Sequence, residues 1–320
     1  FMSICPPGSE GGQGLAIPMA TDIAFSLGVL SLLGSRVPLS LKIFLTAFAV
    51  VDDIGGILVI AIFYSSHVSY GYILVAVLLY ILLYFIGKRG ATNKIFFLVI
   101  GVVIWYLFLQ SGIHSTISGV ILAFVIPAKP RLDVGKYIEH IRHTIAGFPV
   151  MESGSIVLTN EQIAKLKEVE SASDRVISPL QSFEDNLHGA VNYLILPLFA
   201  FVNAGVVFSG GGELVGDVGI AVAAGLLFGK FAGIYFFTWL AIKIKLTPMP
   251  PGMTWTNLSG IALLGGIGFT VSLFIANLSF GANFPILLNQ AKFGVLSGTI
   301  LSGLLGYIVL WIVLPARRRK

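Results

Sequence analysis

Two aspartates stand side by side in an apolar run, Ala49-Val50-Val51-Asp52-Asp53-Ile54-Gly55-Gly56. On a helix, neighbouring residues point about 100° apart, so the two carboxylates diverge while remaining close. In a dry site they resist being ionised together, and the pair titrates as one coupled unit. Carboxylate oxygens suit a small hard cation such as Na⁺ when deprotonated and release it when protonated. Cation and proton therefore exclude each other at Asp52 and Asp53, and that competition is the chemistry of an exchanger. The alternative is a purely structural pair held by a buried cation, but a single such cation, Lys230, faces three buried acids.

The third acid is Asp22, in Ile17-Pro18-Met19-Ala20-Thr21-Asp22. Pro18 removes a backbone donor and restricts the residue before it, so the helix is expected to break just ahead of the polar pair Thr21 and Asp22. A second break is expected in Leu264-Gly265-Gly266-Ile267-Gly268-Phe269-Thr270, with three glycines in four residues. Two interrupted helices point to a transporter's midplane site, where half-helix ends meet in low dielectric. Asp22 can neutralise positive N-termini there, and Lys230 negative C-termini. Close helix packing is the other reading of the glycines, and it suits Gly225, Gly229 and Gly233 around Lys230, and Gly294 and Gly298, better.

These residues need a particular frame. Of 320 residues, 56% are hydrophobic and 11% charged, against about 25% charged in a soluble domain. Apolar runs near 15–33, 41–64, 70–86, 95–109, 113–127, 187–208, 218–242, 257–280 and 291–314 suggest nine membrane spans in an all-α polytopic protein. Lys and Arg fall in every second connection and at Arg317, Arg318, Arg319 and Lys320. By the positive-inside rule those connections and the C-terminus are cytoplasmic. Four ionisable groups, Asp22, Asp52, Asp53 and Lys230, then remain at membrane depth. Each costs about 2.5–3.5 kcal/mol at a helix centre on translocon scales, so an ion or proton pathway is the default explanation.

The organisation follows. Residues 1–127 carry the first broken helix and the Asp pair. Residues 128–187 form a cytoplasmic loop, and 188–320 carry Lys230 and the second broken helix. Within the loop, Thr159 and Gln162 read as a capping box opening a short amphipathic helix with Ile163, Leu166 and Val169 on one face. His140 and His143 lack a third ligand nearby and read as solvated rather than metal-binding. Cys5 is the lone cysteine, so no internal disulfide forms. No signal peptide is legible ahead of the first span, and the chain reads as part of a longer one. No phosphate-binding glycine loop is present, and the basic residues follow the membrane rule rather than clustering on a face for nucleic acid.

Together these residues resemble the NhaA-type bacterial sodium/proton antiporters. The resemblance rests on Ala20-Thr21-Asp22-Ile23-Ala24-Phe25, Ala49-Val50-Val51-Asp52-Asp53-Ile54-Gly55, Ser111-Gly112-Ile113-His114-Ser115-Thr116, Ile195-Leu196-Pro197-Leu198-Phe199-Ala200-Phe201-Val202-Asn203-Ala204-Gly205, Phe228-Gly229-Lys230 and Gly266-Ile267-Gly268-Phe269-Thr270. It also includes the stretch from Ser178-Pro179 to Leu187-His188. It implies twelve spans in the whole protein, three before Phe1, with inverted repeats and two broken helices crossing at mid-membrane.

The resemblance further implies electrogenic exchange of intracellular Na⁺ or Li⁺ for external H⁺, serving sodium and pH homeostasis in the bacterial inner membrane, without a cofactor. By motif position, Asp53 is the main cation ligand and Asp52 its partner in proton exchange, bridged to Lys230. Thr21 and Asp22 belong to the helix crossing. Glu184, His188 and His114 match positions linked to pH response, although His114 reads equally as a hydrogen-bonded helix-end histidine. Ser182 and Asp185 depart from the family pattern, and the 128–187 loop is longer than in better-known members. A homodimer in the lipid bilayer is compatible with the resemblance. The rival functions are a sodium-coupled symporter for an organic solute on a similar scaffold and an intramembrane enzyme with an Asp dyad. The dyad is disfavoured because adjacent helical residues diverge, whereas two catalytic groups must converge on one bond.

Overall fold

The computed structural model describes residues 1–63, 68–89, 94–128, 134–147, 159–205, 215–281 and 283–314. Among these, all regular structure is helical. The helices are α1 (Ile23–Leu32), α2 (Leu39–Phe63), α3 (Tyr70–Lys88), α4 (Lys94–Ser111), α5 (Thr116–Val125), α6 (Val134–Ala146) and α7 (Asn160–Val176). They continue with α8 (Pro179–Ala190), α9 (Leu196–Asn203), α10 (Asp217–Ala224), α11 (Lys230–Lys243), α12 (Trp255–Leu264), α13 (Phe269–Phe280) and α14 (Pro285–Val313). A 3-10 segment, Glu10–Met19, precedes α1, and π turns at Val191–Ile195 and Gly225–Gly229 precede α9 and α11. The basic residues Arg317, Arg318, Arg319 and Lys320 lie outside the described residues, as do parts of the 128–187 loop.

By length and composition, five stretches can cross a membrane: α2, α3, α4, the run Asp217–Lys243 and α14. Two bent pairs raise the number to seven. Glu10–Met19 meets α1 at 48°, and α12 meets α13 at 46°. Both breaks fall where Pro18 and the glycine cluster place them. The remaining two apolar runs take another form: 113–127 holds the ten-residue α5, and the described part of 187–208 is divided among α8, a π turn and α9.

The chain forms two compact units, Phe1–Tyr64 with Asn192–Lys320, and Ser65–Val191. In the first, α14 packs on α10 so closely that a Cβ on Gly294 would lie 2.9 Å from the Gly219 Cα, and one on Gly298 3.1 Å from the Ala223 Cα. This is the small-residue packing expected where apolar burial alone cannot drive association. In the second unit α3, α4 and α5 enclose Leu83, Phe97, Ile104 and Ile126. The buried Tyr80 hydroxyl donates to the Ser118 carbonyl at 2.7 Å.

The capping box expected in the loop is present. The Thr159 backbone N–H donates to Gln162 Oε1 at 2.9 Å, and the Gln162 N–H donates to Thr159 Oγ1 at 3.3 Å. It opens α7, which pairs with α6, and His140 lies 3.5 Å from Glu168.

Candidate functional site

The two breaks cross in the first unit. At the first, Ala20 and Asp22 are extended (φ −79°, ψ 148° and φ −81°, ψ 101°), so the backbone between the Glu10–Met19 segment and α1 has groups to satisfy elsewhere. It satisfies them on the other break. The Asp22 N–H donates to the Ile267 carbonyl at 2.6 Å. Ser26 Oγ donates to the Leu264 carbonyl at 3.1 Å, and Ser272 Oγ to the Ile17 carbonyl at 2.8 Å. Neither serine stood out in the sequence; their one signal is a hydroxyl in an apolar run beside a break.

Asp22 binds both half-helices. Its Oδ1 accepts from the Phe25 N–H at 3.0 Å as the cap of α1. Its Oδ2 accepts from the Thr270 N–H at 3.1 Å and the Thr270 hydroxyl at 2.6 Å, in the first turn of α13. One buried carboxylate thus faces two positive helix ends, the placement the macrodipole favours.

The opposite ends are met through Thr21. Its fully buried hydroxyl accepts from Lys230 Nζ at 2.6 Å and lies 2.8 Å from both the Gly265 carbonyl and Asp52 Oδ2. A hydroxyl has one hydrogen, so Thr21 donates to one of these acceptors at a time. Lys230 also binds Asp52 Oδ2 directly, with its side chain 7% exposed against 18% for Asp52. The Phe48 ring lies 5.8 Å from the ammonium. Lys230 reaches the carbonyl end of α12 through Thr21 rather than by direct contact.

Asp53 differs from its neighbour. Its Oδ1 is buried with no hydrogen-bond partner among the described residues. A buried carboxylate oxygen with nothing to accept from is costly, and each such case needs a reason. A proton or a desolvated cation would supply one.

The glycines have a role other than backbone freedom. None of Gly265, Gly266 or Gly268 takes a positive φ, yet a Cβ on Gly266 would overlap the Leu226 carbonyl oxygen and Ser302. The second break therefore packs directly on the π turn Gly225–Gly229, whose geometry sequence reasoning missed. Gly225 approaches Pro18, with a Cβ there 2.9 Å from Pro18 Cβ. Gly229 and Gly233, in contrast, have open space where a Cβ would be, a correction to the close packing expected around Lys230. Both line a cavity of about 990 Å³ that reaches Asp52, Lys230, Pro18 and Phe48.

His114, Glu184 and His188 belong to the second unit. His114 Nδ1 lies 2.9 Å from the Thr116 hydroxyl just ahead of α5, as a helix-end histidine would. Glu184 and His188 are both exposed, one turn apart on α8.

With this geometry in view, the comparisons are consistent. Residues 1–310 match the model of the family described as Na⁺/H⁺ antiporter 1. The chain is 94% identical over 320 residues to the Na(+)/H(+) antiporter NhaA of Bacteroides thetaiotaomicron, covering 100% of this chain and 73% of that protein. It is 80% identical over 318 residues to the NhaA of Bacteroides fragilis, covering 99% and 73%. It is 62% identical over 310 residues to that of Phocaeicola vulgatus, covering 96% and 69%. A broken-helix crossing holding the buried Asp22 and Lys230 beside the half-buried Asp52 and Asp53 thus sits in a multi-pass membrane protein that belongs to the Na⁺/H⁺ antiporter 1 family.

Proposed function

We infer that this chain exchanges intracellular Na⁺ or Li⁺ for external H⁺ across the bacterial inner membrane, with Asp53 and Asp52 as the shared cation and proton site. The observation that carries this is the asymmetry of the pair. Asp52 is committed to Lys230 and Thr21, while Asp53 keeps a buried oxygen without a partner among the described residues. An exchanger needs one carboxylate free to bind its ion and a second whose charge is compensated in either state. When Na⁺ binds Asp53, the proton leaves; when the proton returns, the ion is released. Lys230, Thr21 and Asp22 compensate the helix ends at the crossing, and the breaks at Pro18 and at Gly265, Gly266, Gly268 and Thr270 create those ends. The C-terminus is assigned to the cytoplasm; competition at Asp53 and Asp52 sets the main pH dependence, with Glu184, His188 and His114 the candidates for a separate pH sensor.

Proteoliposomes holding the full-length protein test this. With an internal acid gradient reported by a dye, added Na⁺ should release protons without any organic solute. Proton release that required a solute would favour a symporter.

A further inference from the structure

The span Asp217–Lys243 carries one residue more than a regular helix needs. At the π turn Gly225–Gly229 the Lys230 N–H reaches back five residues, to the Gly225 carbonyl. From Lys230 onward α11 bonds four residues back, so Phe231 falls to Leu227 and the helical register passes over the Leu226 carbonyl. The extra residue also sets a direction. A residue downstream of it is turned about 100° from the place it would hold in an unbroken continuation of α10. Lys230 follows directly, and in that direction its ammonium meets Asp52.

Both flanks of the turn are seated. Upstream, α10 lies backbone against backbone on α14 at Gly219 and Ala223. Downstream, Ile234 of α11 fills the place that a Cβ on Gly265 would take. With both ends fixed, the extra residue is not expelled; it can only migrate along the helix, turning each residue it passes. Leu226 is what fixes it ahead of Lys230. Its side chain is fully buried, and it would lie 2.9 Å from a Cβ on Gly268 and 3.1 Å from one on Gly298. Its passed-over carbonyl lies where a Cβ on Gly266 would be, beside the buried Ser302 hydroxyl, which has no partner among the described residues.

We propose that Leu226 and Gly266 are positioning residues for Lys230. The seat of the Leu226 carbonyl on Gly266 holds the extra residue ahead of Lys230 and so keeps the ammonium on Asp52. The effect on transport rests on the reading of Asp52 and Asp53 as the exchange site; the aim of Lys230 does not.

The test uses the full-length protein. Gly266→Ala sets a methyl on the Leu226 carbonyl and drives the extra residue past Lys230, so the rate of Na⁺-driven proton release should fall about a hundredfold. Deleting Leu227 removes the extra residue, and a regular helix then joins α10 to α11 with Lys230 still facing Asp52. In the Gly266→Ala protein this deletion should restore most of the rate. Ser302→Ala, which opens the same gap from its other side, should not. If Gly266→Ala alone does not fold, the deletion should restore folding and exchange together. Melting temperatures report the aim of Lys230 without any transport. Lys230→Ala should lower the melting temperature of the wild type and of the deletion variant, but not that of Gly266→Ala. Three results would each overturn the proposal: equal loss of exchange with and without the deletion, rescue by Ser302→Ala, or a full effect of Lys230→Ala in the Gly266→Ala protein.

Discussion

Lys230 and the Thr21 hydroxyl converge on a single oxygen of Asp52, Oδ2, while the adjacent Asp53 has a buried oxygen with no partner among the described residues. One carboxylate is compensated by a cation, while the other has a buried oxygen with no partner among the described residues. The consequences separate cleanly by substitution.

Asp53→Asn keeps volume and polarity and removes the charge. Because Oδ1 has no partner to lose, stability should change by less than about 1 kcal/mol, whereas Na⁺ binding, read by isothermal titration calorimetry, should vanish. Retained Na⁺ binding would show that Asp53 is not the ligand.

Lys230→Ala leaves the half-buried Asp52 without its cation, a change that should cost less than the roughly 3–5 kcal/mol of breaking a fully buried pair. The melting temperature should fall clearly, even where some exchange survives. An unchanged melting temperature would mean that the ion pair does not hold the fold.

Thr21→Val preserves shape and deletes the hydroxyl joining Lys230 to the Gly265 carbonyl. The stranded carbonyl should cost about 1–3 kcal/mol. Asp22→Asn should cost about 2 kcal/mol, because it removes the charge facing two helix N-termini while leaving an oxygen able to cap one of them. Thermal unfolding in one detergent ranks the two. Wild-type stability in both variants would show that the crossing does not depend on these contacts.

Competition makes a pH prediction. If Na⁺ and H⁺ share Asp53 and Asp52, more Na⁺ displaces protons, and the midpoint of exchange should move to lower pH by up to about one unit per tenfold Na⁺ for one-for-one competition. Glu184→Gln and His188→Ala should then leave the midpoint unmoved at fixed Na⁺. A wild-type midpoint indifferent to Na⁺, displaced in that double variant, would instead place the pH response on α8.

The local events were legible in the sequence because their causes are local. Pro18 interrupts α-helical hydrogen bonding locally, adjacent aspartates diverge on any helix, and Thr159 with Gln162 caps the helix that follows. The charge count also singled out Asp22, Asp52, Asp53 and Lys230, since hydrocarbon penalises ionisable groups regardless of topology. What the chain order could not reveal was pairing across more than 200 positions. Only the folded arrangement placed Thr270 against Asp22, routed Lys230 to the end of α12 through Thr21, and gave two identical aspartates different surroundings. It likewise decided that the glycines of the second break serve close approach to the π turn before Lys230. A side chain's type limits what it can bond, but which of several equivalent partners it meets depends on how the helices pack.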